Sequence, residues 1–237
     1  MPLFRLDDQQ IGFPPPQLSC DDGLLAVGGG LSPEWILTAY SLGIFPWYSE
    51  GEPIYWWSPD PRLMMHPTDI KVSKSMKQVF RKKTFTITLD TDFRQVITNC
   101  QTTKRNYGEG TWITNDMLEA YCYLHQLGFA HSVEVWDSKN QQQLVGGLYG
   151  LSLGKCFFGE SMFAKASNAS KAAYIALCHQ LTTWQFNMVD CQMPTPHLQS
   201  LGGKIVAREP FLQQLAKDIQ HATLRGQWQF DDDNPYC

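Results

Sequence analysis

No Cys-x-x-Cys pair occurs in this 237-residue chain. Its seven cysteines, Cys20, Cys100, Cys122, Cys156, Cys178, Cys191 and Cys237, stand apart and are odd in number. That pattern argues against a disulfide framework or a zinc knuckle and fits reduced, core-type cysteine in a cytoplasmic protein. The six histidines are equally scattered, with no His-Glu-x-x-His, so no metal and no other cofactor is expected. No apolar run approaches the roughly 20 residues that span a bilayer, so no membrane association is expected. The opening residues, Met1-Pro2-Leu3-Phe4-Arg5-Leu6-Asp7-Asp8, have none of the features of a signal peptide. Gly28-Gly29-Gly30 precede a helix but match no phosphate-loop spacing, and they read as a turn. Internal repeats and low-complexity tracts are missing as well.

What remains is an ordered globular composition, 43% hydrophobic and 18% charged, with enough length for a large core. The net charge of −4 hides an asymmetry. Residues 1–60 hold one basic side chain against eight acidic ones, whereas residues 61–110 hold ten basic against four acidic. Lys71, Lys74, Lys77, Arg81, Lys82 and Lys83 crowd onto one expected helix at about 73–83. Like charges three and four residues apart repel, which points to a polyanionic partner such as a phosphate backbone; the alternative is an ordinary solvated face. Four of the eight tryptophans fall within residues 35–57 of a proline-rich segment. They are either core or a stacking platform for a base.

Hydrophobic periodicity gives the elements. Ser32-Pro33 reads as a helix start that turns Trp35, Ile36, Ala39 and Tyr40 inward and ends near Gly43. After the basic helix come a strand at 84–89 and helices at about 91–101 and 115–127. Strands follow at about 131–137, 143–152 and 155–163, then a long helix from Ala166 to Trp184. A strand at 186–192, a short helix near 197–201, a strand at 204–208 and a helix at 210–223 complete the order. Asp231-Asp232-Asp233-Asn234-Pro235 reads as a solvated tail. The expected division is a small aromatic-rich N-terminal domain, 1–62, and a catalytic domain, 63–237.

Two apolar strands carry polar residues. Asn187-Met188-Val189-Asp190-Cys191-Gln192 ends in an acid and an amide two residues apart, which a strand places on one side. An acid beside a neutral acceptor suits an amine nucleophile; a buried Asp capping the following turn is the alternative. Phe157-Phe158-Gly159-Glu160-Ser161-Met162-Phe163 carries one charge in its middle.

The order of elements resembles the GCN5-related N-acetyltransferase fold, an α/β (α+β) mixed sheet flanked by helices. In that fold a glycine-rich loop before the long helix holds acyl-CoA. Here the stretch is Ala164-Lys165-Ala166-Ser167-Asn168-Ala169-Ser170, without glycine, which speaks against acyl-CoA as donor. Six motifs in order, Gly23-Leu24-Leu25-Ala26-Val27-Gly28-Gly29, Gly43-Ile44-Phe45-Pro46-Trp47, Trp56-Trp57-Ser58-Pro59-Asp60-Pro61-Arg62, Gly110-Thr111-Trp112-Ile113-Thr114, Gly159-Glu160-Ser161-Met162-Phe163 and Asp190-Cys191-Gln192, resemble the bacterial leucyl/phenylalanyl-tRNA–protein transferase family.

The resemblance implies transfer of Leu or Phe, sometimes Met, from aminoacyl-tRNA to an N-terminal Arg or Lys, which marks the acceptor protein for degradation. It implies Asp190 and Gln192 as the catalytic pair. It implies Leu148, Phe157 and Met162 as the apolar lining for the donor side chain, with Leu148 standing where some members carry methionine. Glu160 would hold the donor's amino group, with a merely structural polar network as its alternative. Trp47 and Trp112 would sandwich the terminal adenosine, with core burial as the alternative for Trp112. An acyl-CoA-dependent acetyltransferase of the same fold, or a non-catalytic RNA-binding module, are the competing readings. The second leaves Asp190, Gln192 and Glu160 without a role.

Overall fold

Two sheets form, and the chain passes from one to the other between Trp57 and Arg62. The computed structural model describes residues 3–103 and 112–237. Gly110 and Thr111 of the fourth motif therefore lie outside the described residues.

The first sixty residues, read from sequence as turns, contain four short strands: β1 (Phe4–Arg5), β2 (Leu24–Val27), β3 (Phe45–Pro46) and β4 (Tyr55–Trp57). Their order is β1-β2-β4-β3. They are too short to show a period, which is why the sequence concealed them. Helix α1 (Pro33–Ser41) starts on proline and buries Trp35, Ile36, Ala39 and Tyr40, as expected. Gly43, at φ +74°, ends the turn where a Cβ would lie 2.5 Å from the Leu212 side chain. Phe13, Trp35 and Trp56 pack edge to face at 5.4 and 4.8 Å. Half of the tryptophan cluster is thus core.

The second sheet has seven strands in the order β11-β5-β10-β9-β8-β7-β6. They are β5 (Arg62–Met65), β6 (Phe85–Leu89), β7 (Ala130–Asp137), β8 (Asn140–Leu153), β9 (Cys156–Ala164), β10 (Met188–Asp190) and β11 (Lys204–Val206). Only the central β9–β10 pair is parallel; the others are antiparallel. Among the described residues six α-helices accompany the sheet: α2 (Lys74–Arg81), α3 (Phe93–Thr102), α4 (Asn115–Gln126), α5 (Ala169–Thr183), α6 (Pro196–Ser200) and α7 (Arg208–Asp218). Ser73, Asp92 and Thr114 cap α2, α3 and α4 by accepting from the backbone N–H three residues on.

Each sheet face has its own apolar layer. On one, α3 and α4 place Phe93, Val96, Ile97, Met117 and Tyr121 against Tyr149, Phe158 and Phe163. On the other, α5 contributes Ala172, Ala173, Ile175, Ala176 and Leu177 against Val133, Leu148, Phe157 and Val189. Strict alternation would put Phe157 and Met162, five residues apart, on opposite faces. A bulge changes that. Tyr149 pairs with Ser161 and Gly150 with Gly159, so Glu160 is the extra residue of β9. The phase reverses across it, and Phe157 and Met162 share the α5 face. Gly150 opposite the bulge must be glycine, since a Cβ would lie 2.2 Å from the Phe158 carbonyl oxygen.

Two expectations need correction. The strand at 186–192 is only Met188–Asp190. Gln192 lies beyond it at φ +53°, because its N–H turns back to Asp190 Oδ1. The C-terminal segment is docked rather than solvated. Trp228 is buried and stacks on His131 at 3.6 Å, Asp231 accepts from Gln180, and Asn234 donates to the Ala176 carbonyl. Asp232 and Asp233 are exposed. The acidic run masks a large apolar anchor just upstream.

Candidate active site

The central strands bring four polar residues together. Asp190 ends β10 and is 0% exposed; Arg62, at the start of β5, is 1% exposed. Arg62 Nε donates to Asp190 Oδ1 at 2.9 Å and Nη2 donates to Oδ2 at 2.7 Å. The guanidinium carbon lies over the rings of Phe45 at 4.9 Å and Phe211 at 4.6 Å. Breaking one side of such a buried pair strands a charge, at about 3–5 kcal/mol. The Gln192 N–H donates to the same Oδ1 at 2.9 Å, so the acid does cap the turn that follows it. The buried-cap reading of Asp190 describes this geometry.

Glu160 is the cluster's partly exposed carboxylate. Its Oε1 accepts from Tyr40 Oη at 2.6 Å and from Gln192 Nε2 at 3.1 Å. Its Oε2 accepts from Tyr121 Oη at 3.2 Å. The two tyrosine oxygens are 2.6 Å apart. Two hydroxyl protons must therefore serve three oxygen–oxygen contacts, and a proton on Glu160 would supply the third. Burial pushes the Glu160 carboxyl up from 4.5 to about 7, against the lowering effect of the two tyrosine hydroxyls; Asp190 raises it further and Arg62 offsets part of this. A carboxyl that titrates near neutrality can both accept and return a proton at cellular pH.

The remaining expected residues form separate groups. Leu148 pairs directly with Met162 across β8 and β9, and both join Phe157 in the layer under α5. Leu148 and Phe157 are buried and Met162 is partly exposed. Trp47 is 41% exposed, and its ring meets Trp57 at 5.6 Å. Trp112 is half-buried against the α3–α4 layer, and the described ring contacts do not join it to Trp47. Of the six cations, Lys74, Lys77 and Arg81 are in α2. Lys82 caps that helix and Lys83 turns the chain at φ +47°. Lys71 precedes the helix, a correction to the single-helix expectation; the helix starts at Lys74, capped by the Ser73 side chain, which accepts from the Met76 N–H. All six are exposed, and among the described residues none is ion-paired.

The sequence does not mark Arg62, Tyr40 and Tyr121 as site residues. Tyr40 and Tyr121 are at helix positions that read as ordinary core, and no spacing links them to Glu160. Arg62 left a fainter signal: one cation opening the apolar run Leu63-Met64-Met65. Among the described residues no group of three or more His, Cys, Asp or Glu is placed to hold a metal ion, and no helix is long and apolar enough to cross a membrane.

Comparison with known proteins adds a second line of argument. The family model for leucyl/phenylalanyl-tRNA protein transferase matches residues 64–216, and the model for the N-terminal domain of that transferase matches residues 29–60. The chain is 53% identical to the leucyl/phenylalanyl-tRNA–protein transferase of Desulfatibacillum aliphaticivorans over 99% of both chains. It is 55% identical to that of Syntrophus aciditrophicus over 96% of this chain and 94% of the relative. With that of Legionella pneumophila strain Corby it shares 48% identity over 94% of this chain and 99% of the relative. Among solved structures the likeness is remote: L-PGS from Bacillus licheniformis aligns with a TM-score of 0.39 and 10% identity, over 86% of this chain and 66% of that one.

Proposed function

Because the chain belongs to the leucyl/phenylalanyl-tRNA–protein transferase family, whose members move leucine or phenylalanine from aminoacyl-tRNA to protein N-termini, we propose that the polar cluster at Glu160 is where the acceptor amine meets the aminoacyl ester. The observation that carries this reading is a partly exposed carboxylate gripped by two tyrosine hydroxyls and the Gln192 amide, in surroundings whose burial pushes it up to about 7.

An aminoacyl ester is already activated, so no ATP is needed. The amine nitrogen attacks the ester carbonyl, a C–N bond forms, and the C–O bond to the terminal ribose breaks. One proton must leave the nitrogen and reach the ribose oxygen. Glu160 is suited to take it up and hand it on, with Tyr40 and Tyr121 holding the carboxylate in place. Gln192 presents its amide beside Glu160 and orients the amine. Asp190, sealed from solvent by Arg62, acts through Gln192 rather than on the substrate. An N-terminal amine has a pKa of about 7.7–8.0, so a weak base suffices. Much of the acceleration comes from holding amine and ester together, worth several kcal/mol.

The other assignments follow as parts of the same proposal. Leu148, Phe157 and Met162 line the pocket for the donor's side chain. Trp47 and Trp112 contact the terminal adenosine. Lys71, Lys74, Lys77, Arg81, Lys82 and Lys83 form the track for the tRNA backbone. The acceptor begins with Arg or Lys, and the reaction is cytoplasmic, feeding N-degron-dependent degradation. The two sheets support a division near residue 62 into an N-terminal and a catalytic domain.

The test is transfer of radiolabelled Phe from Phe-tRNA to a peptide with N-terminal Arg, with acetyl-CoA as donor in a parallel reaction. Label in the peptide from Phe-tRNA alone is expected. Acetyl transfer, or tRNA binding without transfer, would overturn the reading.

A further inference from the structure

We propose that Arg62 is a positioning residue for transfer: it fixes the Asp190 carboxylate, and through it the backbone of Gln192, so that the Gln192 amide stays beside Glu160. The inference rests on the roles given above to Asp190, Gln192 and Glu160.

Four observations carry it. First, the hydrogen bonds of the guanidinium go to Asp190; the remaining nitrogen, Nη1, is buried without a partner among the described residues. Asp190 is therefore the one hydrogen-bond partner of the guanidinium among the described residues. Second, the contact is a two-point fork, which sets the rotation of the carboxylate plane as well as its position. That rotation aims Oδ1 at the Gln192 N–H, 2.9 Å away. Third, Gln192 has φ +53°, a left-handed conformation uncommon for a residue other than glycine, and its N–H is held in that conformation by Asp190 Oδ1. Fourth, β5 grips the same segment through its backbone. Leu63 N–H donates to the Gln192 carbonyl at 3.0 Å and its carbonyl accepts from Cys191 N–H at 2.9 Å. The fork and the backbone pairs together determine where the amide points, 3.1 Å from Glu160 Oε1. The Phe45 and Phe211 rings flank the guanidinium and leave its hydrogen bonds to Asp190.

Lysine at this position keeps the charge but meets the carboxylate at one point and leaves its rotation free. Misplacing a reacting group by about 1 Å can lower turnover by about 10²-fold. The experiment measures kcat and KM for Phe-tRNA with an Arg-initiated peptide, tRNA binding by filter retention, and thermal unfolding, for wild type, Arg62→Lys, Asp190→Asn and the double variant. Arg62→Lys is expected to lower kcat by about 10- to 100-fold while KM and tRNA affinity change less than about twofold. Asp190→Asn is expected to lose about 10²-fold, and adding Arg62→Lys to it costs less than about threefold more, since the route through Asp190 is already cut. Where Arg62→Lys does not fold, Arg62→Gln in the Asp190→Asn background removes both charges and carries the same expectation. Near-normal kcat in a folded Arg62→Lys protein, or losses that multiply in the double variant, would overturn the inference. Normal turnover by Asp190→Asn would bring down the site assignment itself, and the inference with it.

Discussion

Replacing Glu160 with glutamine tests the site and the fold at once. The substitution keeps the shape of the side chain and its capacity to meet Tyr40, Tyr121 and Gln192, but it cannot ionise. In the folded protein the Glu160 carboxyl is raised from 4.5 to about 7 by burial. At 1.36 kcal/mol per pH unit, that gap makes ionised Glu160 destabilising by about 3 kcal/mol, an upper figure because Glu160 is partly exposed to solvent. The sign follows from linkage. A carboxyl whose folded pKa is raised contributes fully below pH 4.5 and loses that contribution as pH rises through about 7. Wild type should therefore weaken relative to Glu160→Gln between pH 4.5 and 8 and then run parallel to it. For a chain of this size the divergence amounts to about 6–12 °C in Tm. Activity reports the same titration. From pH 6 to 8 the ionised fraction of Glu160 rises from about one tenth to about nine tenths, while the acceptor amine, with a pKa of about 7.7–8.0, loses its own proton. Below pH 7 the plot of log kcat/KM against pH should have a slope of about 2 in wild type, one proton from each group, and about 1 in Glu160→Gln, with a loss of about 10²- to 10⁴-fold at pH 8. Parallel unfolding curves at all pH values, or equal slopes in the rate profiles, would refute both the raised carboxyl and its part in proton transfer.

Two further outcomes test the more distant assignments. Neutralising Lys74, Lys77, Arg81 and Lys82 together should weaken tRNA binding and flatten its salt dependence by about 0.7–0.9 in log–log slope for each phosphate no longer neutralised, while transfer from a short aminoacyl-adenosine donor is unchanged; an unaltered slope would place the tRNA track elsewhere. In competition between Leu-tRNA and Phe-tRNA, Leu148→Met should shift the donor ratio by a modest factor, since methylene-scale changes discriminate by about 1–3 kcal/mol, and Met162→Ala should weaken use of both donors by opening a cavity; identical ratios in all three proteins would remove the pocket from this face.

Length of pattern decided most of what was legible, although the three-residue β10 and β11 were also read, with bounds that were too long. Helices α3, α4 and α5 and strands β6 to β9 were visible because their periods repeat over enough residues to be read. The strands of the smaller sheet, two to four residues each, and β5, with only four, left no period. Within the site, Glu160 and Asp190 stood out as single charges in apolar strands, the one signal that needs no knowledge of neighbours. The grouping of Phe157 with Met162 came from family resemblance, and local alternation contradicts it; the bulge that reconciles them depends on how β8 and β9 pair.

Composition, periodicity and ordered motifs by themselves determined the class of the fold, the family, and which strands carry chemistry, because apolar patterning and isolated charges are properties of the local chain. Only the tertiary structure decided that Asp190 is sealed by an arginine 128 positions away, that two tyrosines from separate helices hold Glu160, and that the acidic tail hides an anchored Trp228. Each of these depends on which residues meet across the sheet, and burial and hydrogen bonding between distant segments leave no mark in the spacing of either.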